Sequence, residues 1–322
     1  MSLPPAFLAR LEALLGAEGA AAHLAAAAAP GALAFVVPPA LGAAGEAAAR
    51  LAADGIPAAP LDWYPEAVAV PAAARAALLA HPWAAARRIH PVNPSSLVPP
   101  WVLDVRPGQR VLDLAAAPGG KTVALARRLA GAGELVAVEA VRGRFHKLRA
   151  TLAAQGIEGV RTWLGDGRRL PRSWSESFDR VLLDAPCSSE ARIHPGEPDS
   201  ARHWSERKIA EQARKQRGLI EAALRCLRPG GRLVYSTCTL APEENEAVIA
   251  HALARFGHRL RVIPFAPPAP AWDEGLAGWR GRAWPPALRG ARRIRAGAGW
   301  EAFFVCLLEK TASTAPRRLS RR

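Results

Sequence analysis

Between residues 110 and 236 the chain alternates two apolar patterns. Short apolar runs at 110–114, 134–138, 159–164, 178–183 and 232–236 are each bounded by Gly, Pro or acidic residues, as strands are. Between them lie stretches with helical spacing at 122–129, 141–155 and 205–227. Strands that alternate with helices predict a mostly parallel sheet covered on both faces, whose strands read as unbroken apolar runs, as 181–183 does. Ligands of such sheets bind beyond the carboxyl ends of the strands. Asp113, Glu139, Asp166, Asp184 and Cys238 all stand at or just past such ends.

The first 80 residues read differently. Leu8, Leu11, Leu14 and Leu15 keep helical spacing, and Pro30-Gly31 and Pro38-Pro39 punctuate the segment. Short strands are expected at 34–37 and 67–70. A further strand is expected at 303–308. Residues 311–322 have no apolar periodicity and read as a flexible basic tail. The expected organisation is a small N-terminal domain, mainly helical, over 1–85, the alternating domain over 86–310, and the tail.

Charge sharpens this division. The chain has 322 residues, 43 Lys+Arg and 28 Asp+Glu, a formal net charge of +15. Residues 1–80 carry three Arg, no Lys and six acids, so the excess lies entirely in the later part. A surface of this sign suits a polyanion such as nucleic acid, which releases counterions on binding. An arginine-rich composition also arises from thermal adaptation, so charge alone leaves the partner open. Half the residues are hydrophobic, enough for a buried core, which excludes a wholly disordered chain. The longest charge-free run, 19–45, is broken by prolines and dominated by alanine, so no membrane span is expected. No signal peptide is expected either. Four cysteines without a Cys-x-x-Cys pair predict neither a disulfide scaffold nor a metal site, and fit a reducing cytoplasm.

The loop 115–122 admits three ligands. A phosphate-gripping loop needs a glycine where Ala115 stands, although Gly120-Lys121-Thr122 supplies its end. A dinucleotide loop needs G-x-G-x-x-G, which Ala117-Pro118-Gly119-Gly120 does not provide. An adenosyl ligand without a phosphate chain fits a helix N-terminus at this point. Glu139 would then take the ribose hydroxyls and Asp166 the adenine amino group, a pattern that suits S-adenosylmethionine. Each acid alone also makes a plausible helix N-cap. Cys187 and Cys238 end adjacent expected strands, in polar turns that favour a reactive thiol. Cys226 and Cys306 fall in apolar stretches and read as core.

The segments Val111-Leu-Asp-Leu-Ala-Ala-Ala-Pro-Gly-Gly-Lys-Thr122, Asp184-Ala-Pro-Cys-Ser188 and Tyr235-Ser-Thr-Cys-Thr-Leu-Ala-Pro-Glu-Glu-Asn-Glu246 resemble the RNA cytosine-5 methyltransferases of the NOL/NOP/SUN (RsmB/NOP) family. Asn93-Pro-Ser-Ser-Leu97 is similar to the family segment before the first strand, and 302–310 resembles its closing strand. The resemblance implies a Rossmann-like class I methyltransferase fold, S-adenosylmethionine as cofactor, and ribosomal or transfer RNA as substrate. It implies that Cys238 is the nucleophile, that Cys187 is linked to release of the covalent product, that Asp184 positions the cytosine and that Lys121 helps organise the site. It further implies that Ala115, Ala116, Ala117, Pro118, Gly119, Gly120, Lys121, Glu139, Asp166 and Asp184 line the cofactor pocket. A cytoplasmic monomer, free of metal and membrane, is expected.

The chain departs from the family pattern at three places. Ser189 stands where the family usually has glycine, and Glu190-Ala-Arg-Ile193 follows it. The early Arg-Val-Asn segment, part of the family's N-terminal RNA-binding region, appears as Phe35-Val-Val-Pro38. The closing Arg-Ile-Trp-Pro-His has its nearest match in Arg293-Ile-Arg295. Basic residues at Arg142, Arg144, Lys147 and Arg149, and again at Arg202, Arg207, Lys208, Arg214, Lys215 and Arg217, are expected to track phosphates, with His203 or Trp204 as stacking surfaces. The competing reading is an RNA-binding assembly factor that keeps the fold with little turnover, or a methyltransferase for another substrate.

Overall fold

The computed structural model describes residues 3–314; residues 315–322, most of the expected tail, lie outside the described residues. The chain opens with helix α1 (Pro5–Ala28), which bends at Gly16, where φ is +72°. Strand β1 (Leu33–Val36), helix α2 (Ala44–Ala53), and strands β2 (Ala59–Leu61) and β3 (Tyr64–Val70) follow, then the short helices α3 (Arg75–Ala80) and α4 (Pro82–Ala85). The three strands form an antiparallel sheet in the order β1-β3-β2. The strands expected at 34–37 and 67–70 are β1 and part of β3. Strand β2 escapes notice because Pro60 and two exposed residues mark it as an edge.

Helix α1 does not share the core of this sheet. Phe35, Leu51, Val68 and Leu78 pack with one another, whereas Phe7 and Leu11 of α1 pack with Ala191, Ile193, Ala201 and Leu240 from the far half of the chain. Arg10, nearly buried, clamps that seat with ion pairs to Glu206 at 3.0 Å and Glu243 at 2.8 Å.

The second half contains helix α5 (Val98–Leu103), strand β4 (Arg110–Leu114), helix α6 (Gly120–Leu129), strand β5 (Glu134–Glu139), helix α7 (Arg142–Ala154), strands β6 (Val160–Leu164) and β7 (Phe178–Asp184), helix α8 (Glu206–Cys226), strand β8 (Leu227–Thr237) and helix α9 (Glu246–Phe256). Strands β9 (Leu260–Ile263), β10 (Trp272–Glu274), β11 (Gly278–Trp279), β12 (Arg282–Ala283), β13 (Arg292–Ile294) and β14 (Phe303–Lys310) complete it. The main sheet runs β10-β13-β14-β8-β7-β4-β5-β6, with β9 also paired to β14, while β11 and β12 form a separate hairpin. The five strands from β4 to β8 are mutually parallel and β14 closes them antiparallel. This is the expected sheet, a class I methyltransferase architecture. Residues 228–231, between the expected helix and strand, lie within β8 as an irregularity, with Gly230 at φ +77° and the register to β7 shifting between Phe178 and Arg180.

Two polar clasps fix the ends of the sheet. Asn93 Nδ2 donates to Gly299 O at 2.8 Å, its Oδ1 accepts from Glu301 N at 3.0 Å, and Ser95 Oγ donates to Glu301 O at 2.6 Å. The segment before β4 is thereby tied to the approach to β14. Lys310, fully buried at the end of β14, donates to Leu224 O and Leu227 O and pairs with Glu176 at 2.8 Å. Thr311 and Thr314, the start of the expected tail, are hydrogen-bonded to Arg259 O, His258 O and Glu176. Among the described residues no helix is long and apolar enough to cross a membrane, and no group of three or more His, Cys, Asp or Glu side chains is arranged to hold a metal ion.

Candidate active site

The loop after β4 is shaped by its backbone. Ala115 N and Ala116 N donate to Val138 O at 3.0 and 2.9 Å, which turns the chain back over the end of β5. Gly119 has φ +117°, and a Cβ there would touch Leu148 and Thr151 at 3.1–3.2 Å. At Gly120 a Cβ would stand 2.6 Å from the His90 ring. Both positions therefore need glycine, one for conformation and one for space. Thr122 Oγ1 donates to buried Asp113 at 2.7 Å; burial pushes the Asp113 carboxyl up to about 7. Asp113 thus braces the start of α6 from beneath the loop.

Glu139, 3% exposed, ends β5. Its Oε1 accepts from Val141 N at 2.9 Å, whereas its buried Oε2 has no hydrogen-bond donor, the nearest cation being Arg144 at 3.8 Å. An unmatched buried carboxylate oxygen is costly unless something supplies a donor. Ribose hydroxyls would do so, and the loop 115–120 lies one strand away. These residues fit an adenosyl group. Asp166 follows β6, but both its oxygens already accept from Arg168, the shortest contact being 2.7 Å from Nη2, and this bond holds its carboxyl below the usual range.

Strands β7 and β8 run in register, Asp184 beside Ser236. Asp184 Oδ2 accepts from Lys121 Nζ at 2.7 Å and its Oδ1 from Ser236 Oγ at 2.7 Å. Three residues beyond Asp184 and two beyond Ser236, the sulfurs of Cys187 and Cys238 lie 3.5 Å apart. Both are half-buried, whereas Cys226 and Cys306 are buried in the core as expected. The two thiols differ electrostatically. The hydrogen bond from Cys187, aided by the Arg192 charge, lowers Cys238 to about 7 against the opposing effect of burial. Cys187, as the donor and near Glu244, is pushed well up. Of the two thiols, Cys238 is therefore the one that gives up its proton first.

Two buried acids, Glu244 of the motif 235–246 and Glu190 of the turn after Cys187, hold this mouth together, a role that spacing did not reveal. Glu244 accepts from Ser188 N at 3.0 Å and from Gln216 Nε2 at 2.8 Å, and burial pushes its carboxyl up to about 8. Glu190 accepts from Trp204 Nε1 at 2.8 Å, Thr239 Oγ1 at 2.9 Å and Leu240 N at 3.1 Å. Trp204 is half-buried; its N–H donates to Glu190 and its ring packs edge-on against Phe7 at 5.5 Å. Arg293, the near match in the closing region, forms a two-pronged pair with fully buried Glu246.

A parallel sheet with a glycine loop after its first strand and an acid ending its second defines a class I methyltransferase, whose methyl donor is S-adenosylmethionine. Residues 100–274 match the family described as 16S rRNA methyltransferase RsmB/F. The chain belongs to that family, the one its motifs resemble. It is 38% identical over 223 residues to the tRNA (cytosine(49)-C(5))-methyltransferase of Pyrococcus abyssi, covering 69% of this chain and 70% of the relative. It is 42% identical over 156 residues to ribosomal RNA small subunit methyltransferase F of Klebsiella pneumoniae, covering 48% of this chain but only 32% of that longer protein. A crystallised methyltransferase homolog from Pyrococcus horikoshii superposes with a TM-score of 0.79 at 28% identity, covering 96% of this chain and all of that one.

Proposed function

We propose that this protein methylates carbon 5 of cytosine in RNA through a covalent adduct at Cys238. The observation that carries the reading is the pair of sulfurs 3.5 Å apart beside the Lys121–Asp184 ion pair, at the ends of adjacent parallel strands. When bound, S-adenosylmethionine supplies the electrophilic methyl group. Carbon 5 of cytosine is a weak nucleophile. Addition of the Cys238 thiolate at carbon 6 forms the sulfur–carbon bond and makes an enamine of the ring, with electron density at carbon 5. After transfer a water molecule acting as base takes the carbon 5 proton, the carbon 5–carbon 6 double bond reforms, and the carbon 6–sulfur bond breaks with its electron pair returning to Cys238 as thiolate. Asp184, fixed by Lys121 and Ser236, positions the ring, and Cys187, held protonated against the departing sulfur, assists release. Residues Ala115 to Lys121 and Glu139 hold the donor, and Asp166 shares its carboxylate between Arg168 and the adenine edge.

RNA bearing 5-fluorocytidine tests this mechanism, because fluorine cannot leave as the proton does. Incubation with S-adenosylmethionine is expected to give a denaturation-resistant protein–RNA adduct that maps to the Cys238 peptide. An assembly factor without turnover gives none, and its absence sinks the reading.

The basic residues named on α7 and α8 are mostly exposed, as phosphate contacts require. Each neutralised phosphate on a single strand contributes about 0.7 to the slope of log affinity against log salt. With four or five such contacts, a tenfold rise in salt is expected to weaken RNA binding by about a thousandfold, measured by filter binding. A flat response removes these helices from the RNA path.

A further inference from the structure

We propose that Cys187 and Cys238 are a peroxide-sensitive dithiol, which closes to a disulfide on oxidation by hydrogen peroxide and reopens with a thiol reductant. Both are free thiols, and their sulfurs lie in contact but unbonded, 3.5 Å apart. A disulfide needs about 2.0 Å, so the pair must close by about 1.5 Å, within the reach of side-chain rotation. The backbone holds the two thiols to this approach. Asp184 pairs with Ser236 across β7 and β8, and Ala185 N donates to Ser236 O at 2.8 Å. On the far side of Cys187, Ala191 N donates to Cys238 O at 3.1 Å. The segment 185–191 is thus stitched to the end of β8 both before and after Cys187. Glu244 adds a third stitch, through Ser188 N at 3.0 Å. Both thiols are partly exposed, so a small oxidant reaches them, whereas Cys226 and Cys306 are shut in the core.

The order of events follows from the pair. Cys238, the first to lose its proton, attacks one oxygen of the peroxide. The sulfur–oxygen bond forms, the oxygen–oxygen bond breaks, and hydroxide leaves a sulfenic acid behind. Cys187 gives its proton to that hydroxide, and its sulfur attacks the Cys238 sulfur. The sulfur–sulfur bond forms, the sulfur–oxygen bond breaks, and the second hydroxide takes up the proton that Cys238 first released. Two thiols are oxidised and one peroxide is reduced to two waters. A sulfenic acid without a neighbouring thiol is open to a second peroxide, which gives a sulfinic acid that thiol reductants do not reverse. The bond to Cys187 stops oxidation at the reversible stage. While it lasts, no thiolate is available at Cys238. The proposal adds a modification to the site, and neither RNA nor methyl donor enters its chemistry.

The experiment is a titration of the full chain with hydrogen peroxide, followed by alkylation, digestion and mass spectrometry with and without dithiothreitol. Cys187 and Cys238 are expected to disappear from alkylation together, and a peptide linking them to appear that dithiothreitol abolishes. Cys226 and Cys306 should keep their parent labelling. In Cys187→Ser, Cys238 should pass through a sulfenic acid that dimedone traps to a sulfinic acid, with recovery by dithiothreitol lost. Oxidised parent should lose the 5-fluorocytidine adduct in proportion to the linked fraction, and regain it on reduction. Consumption of Cys238 without a linked peptide overturns the proposal. So does a Cys238 that peroxide leaves untouched, or equal recovery of parent and Cys187→Ser. A chain that never links but gives the adduct sinks this proposal alone; a chain that links but, when reduced, gives no adduct sinks the methylation mechanism alone.

Discussion

Cys238→Ala is expected to lose methyl transfer by about a thousandfold or more, whereas Cys187→Ala should accumulate protein covalently attached to RNA. The opposite outcomes follow from one geometry. The sulfurs are 3.5 Å apart, close enough to share a proton, yet Cys238 is lowered to about 7 and Cys187 is pushed well up. Removing the ionised partner leaves nothing to add to carbon 6, so the ring never becomes an enamine. Removing the protonated partner leaves addition possible but takes away the group that faces the departing sulfur. A denaturing gel with labelled RNA and a tritiated-methyl assay separate the two variants. The parent activity should also rise with pH as Cys238 ionises around 7. Methyl transfer at the parent rate by Cys238→Ala overturns the assignment, and rapid release by Cys187→Ala removes the second thiol from the mechanism.

Glu246→Ala should destabilise the fold by about 3–5 kcal/mol, the usual cost of leaving one member of a buried pair alone. The Glu246 side chain is fully buried and accepts from Arg293 Nε at 2.7 Å and from Nη2 at 2.5 Å, with Leu276 N at 3.1 Å as a third donor. Arg293 in turn donates to Leu240 O at 3.0 Å, two residues from Cys238. The variant strands a guanidinium that is 11% exposed. Urea denaturation followed by circular dichroism measures the loss. Replacing both residues together by apolar ones of similar volume should recover much of it, because no charge is then left buried. Equal stability of Glu246→Ala and the parent would show that the pair contributes nothing net.

What the sequence made legible follows from where the physics is local. Strands β4, β5, β7 and β8 announce themselves because a strand buried on both faces has no choice but a run such as Val181-Leu-Leu183. The two thiols could be placed at one mouth because parallel neighbours deliver their ends to the same side. The N-terminal sheet was harder to read: alanine fits helix and strand alike, and in Ala67-Val-Ala-Val70 only the valines speak for a strand. The closing strands β9, β10 and β13 span three or four residues each, too few for any period to show. Glu190 and Glu244 were invisible as braces, since these partners lie 14 to 56 residues away and only tertiary contact reveals them. The contacts of Trp204 with Phe7 and Glu190 were hidden for the same reason.

The seating of helix α1 has a consequence for synthesis. Arg10 finds its carboxylates 196 and 233 positions further along, and Phe7 closes on Trp204. During synthesis this helix emerges well before those partners, so its apolar side chains stay unmatched until they follow. Docking of the helix waits on those later segments, and it then packs beneath the turn 190–193 beside Cys238.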